Sequence, residues 1–188
     1  EAKFFAAQKT RRTASPKLSF GFVGGPSEIK GWPIIRRAFA NLKRSDFSVY
    51  VVDGSLDGSW WSNHDFSDLP GDWHIYPRFN QAEMDGFYAQ IDVLLFMSQW
   101  KETFGLAVRE ALARGVRVIQ TDSGGTVEHN AVVPEELIPI GSGPEPLMLQ
   151  LVAALDRHPM TVPAYKVASF DDQAAAFETL VAPLLKRP

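Results

Sequence analysis

The chain has 188 residues, 45% of them hydrophobic and 22% charged, with a formal net charge of −3 and no cysteine. That is the composition of one globular domain, long enough for a core that removes about 70% of the unfolded surface from water. The charge argues against nucleic acid or an anionic membrane surface as the main partner. The lack of cysteine excludes a disulfide framework and thiolate metal sites, and it fits a reducing, cytoplasmic setting. No apolar run reaches the length of a membrane span and no signal peptide is recognisable. Association of the full protein with the inner face of a membrane stays open. The first residue is Glu1 rather than Met, which reads as a trimmed or partial chain.

Residues 1–17 are charged and Ala-rich and read as a tail, a linker or a short helix. Residues 18–23 form an apolar strand ending in Gly24-Gly25-Pro26. A loop then runs through Lys30-Gly31, and a helix starts at Trp32-Pro33 with Ile34, Ile35, Ala38, Phe39 and Leu42 on its apolar face. Open parallel sheets bind phosphates at such strand–glycine loop–helix units, and Lys30 is the natural cation for a diphosphate. A tight turn with a surface lysine is the plain alternative.

Residues 47–52 are the second strand, ending at Asp53-Gly54. Residues 55–71 form a long polar loop with Trp60, Trp61 and His64, read as an insertion capped by two half-buried tryptophans in preference to an acceptor contact. A short strand at 73–76 leads to Pro77-Arg78-Phe79. A helix over 81–90 packs Met84, Phe87 and Tyr88. The near-continuous apolarity of 91–97 marks a central strand buried on both faces, and Ser98 ends it.

The stretch that organises the chain is 99–130, a loop, a helix, a strand and a glycine loop. Glu102 precedes the helix, Phe104 and Gly105 open it, and Arg114-Gly115 stops it. Leu106, Ala107, Glu110, Ala111, Leu112 and Ala113 form a small apolar face suited to a sheet. A helix N-terminus stabilises an anion. Glu110 follows Glu102 by eight positions, a rise of ~12 Å if helical, so the two carboxylates could grip hydroxyls on either side of a diphosphate. In the plain alternative Glu102 serves the helix dipole and Glu110 is solvated. A strand at 116–119 ends in the loop carrying Gly124-Gly125 and Glu128. Beyond it are a short edge strand at 137–141, a helix at 146–157, a loop at 158–168 and a closing helix at 171–186 with Phe177, Leu180, Val181 and Leu184 inward. Alternating strands and helices predict an α/β, Rossmann-like parallel sheet sandwiched by helices.

Other chemistries find little footing. Gly24-Gly25 is not a G-x-G-x-x-G dinucleotide loop, and neither a P-loop nor a G-x-S-x-G elbow occurs. His64, His74, His129 and His158 lack metal-ligand spacing and read as surface or capping residues, with a donor contact from His129 as the minority reading.

The run E-T-F-G-L-A-V-R-E-A-L-A-R-G-V-R-V-I-Q-T-D-S-G-G-T-V-E over 102–128 resembles the signature of the retaining, family 4 type glycosyltransferases of the GT-B fold. F-V-G-G-P-S-E-I-K-G-W over 22–32 is similar to that family's G-R-…-K-G loop, with Gly25 where many members carry a phosphate-binding arginine. The resemblance covers roughly 18–188 and is to the C-terminal, donor nucleotide-sugar-binding domain only. It implies a second, N-terminal Rossmann-like acceptor domain outside this chain, into which a C-terminal helix often crosses back.

By this resemblance, Lys30 and the helix tip at Phe104-Gly105 stabilise the leaving diphosphate, and Glu102 holds sugar hydroxyls; Lys30 and Glu102 are the catalytic candidates. Glu110 binds the ribose. Gly24, Gly25, Thr103, Phe104, Gly105 and Leu106 contact phosphate or sugar. Arg78 borders the nucleobase, and the loop of Gly124, Gly125 and Glu128 closes the pocket. The substrate implied is a nucleotide diphosphate sugar, with no cofactor and, the D-x-D signature being absent, no obligatory metal. A non-catalytic nucleotide-sugar-binding or assembly module descended from such an enzyme is the alternative.

Overall fold

The computed structural model describes residues 16–129, 131–159, 165–166, 168 and 170–185. Residues 1–15, read above as most of a tail, and much of the loop at 158–168 lie outside them.

The sheet has five parallel strands in the order β3-β2-β1-β4-β5: β1 Leu18–Phe22, β2 Phe47–Val52, β3 Asp72–Tyr76, β4 Val93–Phe96 and β5 Arg117–Gln120. The helices are α1 Trp32–Ala40, α2 Met84–Tyr88, α3 Leu106–Ala113, α4 Glu145–Asp156 and α5 Phe170–Leu185. This is the doubly wound α/β architecture that the alternating pattern predicts.

Strand alternation sends side chains to two apolar layers. On one face Phe20, Phe47, Val49, Val51, Val93, Leu95 and Ile119 pack with α1 and α4. On the other, Val52, Ile91, Leu94 and Val116 pack with Met84, Phe87 and Tyr88 of α2 and Ala111 of α3. The first layer is aromatic at its centre: Phe20 meets Phe39 and Phe47 edge-on, with ring centroids 5.5 and 5.9 Å apart.

Three elements depart from the sequence reading. α2 is cut to Met84–Tyr88, because Asn80 and Glu83 exchange hydrogen bonds with the backbone of the preceding turn: Ala82 N–H donates to Asn80 Oδ1 at 2.8 Å and Asn80 N–H to Glu83 Oε2 at 3.0 Å. The expected edge strand at 137–141 is a single bridge between Thr121 and Ile138. Pro139 has no N–H to continue the ladder, and the next donor, Ile140 N–H, goes to Asp122 Oδ1 at 2.7 Å.

The closing helix forms, but none of its described residues is buried. Phe177, Leu180 and Leu184, expected inward, are 64%, 74% and 61% exposed. The amphipathic period is present, but of its apolar stripe only Val181 is partly covered.

Phe20→Ala should destabilise the chain by about 3–5 kcal/mol, since it opens a cavity between two edge-on aromatic partners. A urea unfolding midpoint lowered at unchanged slope checks this.

Candidate functional site

The chain leaves β1 toward β2 and β3 on one side, and leaves β4 toward β5 on the other. The loops at the carboxyl ends of β1 and β4 therefore diverge, and the crevice between them is where open α/β sheets bind ligands. A cleft of about 370 Å³ lies there, walled by Val23, Gly24 and Lys30 on one side and by Ser98 and residues 102–107 on the other.

The loop after β1 reaches the cleft because Gly31 has no side chain. It adopts φ 77°, and a Cβ there would stand 2.1 Å from the Met97 carbonyl oxygen at the end of β4. With the loop seated so closely, Gln99 N–H donates to Ile29 O at 2.7 Å, and the neighbouring Lys30 swings over the cleft. Its Nζ donates to Glu102 Oε1 at 2.6 Å.

The same oxygen accepts from the hydroxyl of buried Ser98 at 3.0 Å. The Lys30 hydrogen bond, aided by Ser98 and opposed by partial burial, holds the Glu102 carboxyl below its ordinary pKa. Glu102 is thus a fixed anion beside a fixed cation, and both stay accessible, with 25% and 40% of their side chains exposed.

The tip of α3 completes the cleft. Gly105 occupies the N-cap, no side chain caps the helix, and its first turn has no acid, so its amide end is open to an anion. Thr103, Phe104, Gly105, Leu106 and Ala107 line the wall. Leu106, expected on the packing face, is 51% exposed instead.

Behind this wall sits the second glycine loop. Glu102 N–H donates to Ser123 O at 3.1 Å and Gly125 N–H to Glu102 O at 2.9 Å. A Cβ on Gly125 would meet the Thr103 carbonyl oxygen at 1.9 Å. Gly124 and Gly125 therefore back the Glu102 turn and do not line the cleft.

Arg109 locks the two loops together. The residue is buried; its Nη2 donates to Gly125 O at 3.0 Å and Glu128 O at 3.2 Å, its Nη1 donates to Phe104 O, and its Cζ lies 3.8 Å from the Phe104 ring centroid. The Glu128 side chain is exposed, so that residue enters the arrangement through its carbonyl.

The other expected site residues lie elsewhere. Glu110 is buried one turn behind Ala107, away from the cleft wall, and its Oε2 lies 2.9 Å from the Tyr88 hydroxyl. Burial raises its pKa against the opposing pull of Tyr88 and Arg114. Arg78 is exposed and outside the cleft wall, and Gly25 is covered by Trp60. Sequence reasoning missed Ser98 as a partner of Glu102 and Arg109 as the brace. The signal for Arg109 was a charge on an otherwise apolar helix face, which a buried carbonyl cluster explains. Among the described residues, no group of three or more His, Cys, Asp or Glu is placed to hold a metal, and no helix is long and apolar enough to cross a membrane.

Replacing Arg109 with Leu leaves three carbonyls without their donor and should lower stability by at least about 2 kcal/mol. Faster amide exchange at Glu102 and Gly125 would accompany the loss. A carboxyl depressed in the native state contributes stability above its unfolded pKa and loses it as pH falls through the native value. In Lys30→Met the Glu102 titration, followed by carboxyl NMR, should therefore move upward, and the acid-side loss of stability tied to it should shrink.

A family profile described as Glycosyl transferases group 1 matches residues 6–131. No curated protein sequence gives a significant match. A glycosyltransferase from Rickettsia africae superposes with a TM-score of 0.67 at 17% identity, over 97% of this chain and 50% of that one. The C-terminal domain of the glycosyl transferase group 1 family protein LpcC from Francisella tularensis gives 0.62 at 17% identity, over 95% of this chain and 97% of that one. Anabaena Alr3699/HepE, solved in complex with UDP-glucose, gives 0.56 at 20% identity, over 74% of this chain and 39% of that one. The chain thus spans half or less of the length of the Rickettsia and Anabaena proteins, and nearly all of the isolated Francisella domain. With two thirds of its residues inside the matched segment and a Rossmann-like sheet shared with GT-B enzymes, the chain belongs to the group 1 glycosyltransferases.

Proposed function

We propose that residues 18–188 are the donor-binding half of a retaining glycosyltransferase that transfers a sugar from a nucleotide diphosphate sugar. The observation that carries this is the meeting of three features in one cleft at the β1/β4 switch point: the Lys30 ammonium, the Glu102 carboxylate and the uncapped tip of α3. A diphosphate needs positive charge from two sides, and a sugar needs a strong acceptor for its hydroxyls. The cleft offers both within the reach of one ligand.

In this reading the difficult step is departure of the nucleoside diphosphate. Lys30 and the amide groups at Gly105 and Leu106 lower its barrier, because they stabilise charge that grows as the glycosidic bond to phosphate breaks. Glu102, held by Ser98, receives hydroxyls of the sugar. Gly24, Thr103 and Phe104 are the wall against which sugar and phosphate rest. Glu110 takes the ribose after releasing Tyr88, Arg78 borders the base from outside, and Gly124, Gly125 and Glu128 act through the turn they support. The acceptor and its positioning groups belong to an N-terminal Rossmann-like domain beyond this chain. Charge neutralisation by these protein groups requires no cofactor, and a cytoplasmic location suits a nucleotide-sugar substrate.

Calorimetric titration with UDP-glucose, GDP-mannose and ADP-glucose tests the reading. One of the three should bind, and Lys30→Ala should weaken it by at least about tenfold, the loss of one charge-assisted contact to phosphate. The corresponding nucleoside monophosphate should lose far less. Failure of all three to bind would reject the donor site, and binding without turnover in the full-length protein would leave a nucleotide-sugar-binding module.

A further inference from the structure

One exposed aromatic ring at the carboxyl edge of the sheet is built into place and unused by the site described so far. The benzene half of Trp60 rests on two glycines: ideal Cβ positions at Gly25 and Gly54 fall 2.7 Å from its Cε3 and 2.6 Å from its Cζ3. Any side chain at either position would lift the ring. The segment that carries it is braced on both sides. Asp53, at the end of β2, accepts Ser55 N–H at 3.0 Å as well as the Ser55 hydroxyl, and that hydroxyl accepts Ser59 N–H at 2.8 Å. Next in sequence, Trp61 is 1% exposed, and its indole N–H donates to Val52 O at 2.9 Å. Trp60 itself remains 40% exposed. A ring held this firmly yet left open to solvent is a preorganised surface, and ordering it on ligand binding costs little.

Its neighbours decide what it meets. Gly25, under the ring, follows Gly24 of the cleft wall, and an ideal Cβ on Gly24 lies 2.7 Å from Lys30 Cβ. Phosphate-binding groups thus flank one side of the Gly24-Gly25 step and the indole flanks the other. Of the other exposed aromatics near this edge, Phe104 is covered by Arg109, and Trp100 lies with Asp122 and Ile140 at a separate depression. The C–H groups on the apolar face of a pyranose are weakly positive and fit the negative face of an indole.

The geometry points to Trp60, beside the cleft wall across the Gly24-Gly25 step, as the stacking platform for the donor's hexosyl ring. The inference rests on the donor reading above and deepens it. Trp60 reads the apolar face of the sugar, whereas Lys30 and α3 read only the diphosphate.

The test compares each nucleotide sugar with its free nucleotide: UDP-glucose with UDP, GDP-mannose with GDP, and ADP-glucose with ADP. For the pair that binds, the wild-type chain should hold the nucleotide sugar more tightly than the nucleotide. Trp60→Ala should remove that advantage, about tenfold, while leaving the free nucleotide within twofold. Trp60→Phe should retain most of it. Gly54→Ala, which displaces the indole without removing it, should lower the same ratio. A nucleotide sugar bound equally well by wild type and Trp60→Ala overturns the platform and leaves the donor site standing, as does an equal loss of nucleotide and nucleotide sugar, which would make Trp60 a packing residue. No binding of any pair overturns both.

Discussion

The candidate site depends on one buried cation. Arg109 points from the first turns of α3 into the space between the Glu102 turn and the second glycine loop, where three backbone carbonyls converge. Carbonyls of turns are often solvated. Here the loops are pressed together so closely that Gly125 has no room for a methyl group, and water is replaced by a guanidinium. Burial lowers the Arg109 pKa but leaves it charged, since guanidinium starts far above neutral pH. The consequence is geometric. With the Phe104 carbonyl tied down, α3 starts at a fixed point, and its amide end and the Glu102 carboxylate are set relative to one another. A lysine could not do this, because its single ammonium cannot reach three carbonyls in a fixed fork.

Given that frame, the cleft holds a paired cation and anion, Lys30 and Glu102. Lys30 and Glu102 pair at 2.6 Å, and as at any partly exposed ion pair, solvent screening and lost side-chain freedom offset most of the Coulombic gain. A diphosphate carries more charge than one carboxylate and accepts from more directions, so it can draw the ammonium toward itself. Glu102 would then lose its strongest donor, and its acceptor capacity would be turned to ligand hydroxyls. Ser98 keeps the carboxylate in place through that exchange.

Most of the fold was legible in the residues because the signals were physical and local. The strand at 47–52 has its predicted bounds, and Gly31, Pro33 and the apolar face of α1 mark that helix from start to finish. The failures have local causes too. The side chains of Asn80 and Glu83 shorten α2, and Pro139 ends the expected strand after one bridge. The apolar stripe of α5 was read correctly as a stripe and wrongly as inward, because periodicity shows that a face is apolar and not what covers it. Within the site, the resemblance to the family signature placed Lys30, Glu102 and the α3 tip together, as the cleft does. The glycine pair at 124–125 was read as ligand-facing, although small residues serve equally where one backbone must press against another. Ser98 and Arg109 were hidden because their roles depend on three-dimensional convergence of loops far apart in the chain.

Glu110 shows how far spacing reaches. Eight residues after Glu102 carries the chain onto α3, where Glu110 is buried one turn behind Ala107 and outside the cleft wall. What spacing could not show is Tyr88, which arrives from α2 and closes over it. The phenol hydroxyl lies 2.9 Å from the carboxylate and 3.2 Å from the Ala107 carbonyl, so Glu110 already meets a hydroxyl group. A buried carboxylate without a donor would cost several kcal/mol. Exchanging one hydroxyl for another costs far less, because the number of hydrogen bonds is conserved and only the packing of the ring has to give. The donor reading therefore asks for the Tyr88 hydroxyl to give way to another hydroxyl rather than for the exposure of a bare charge.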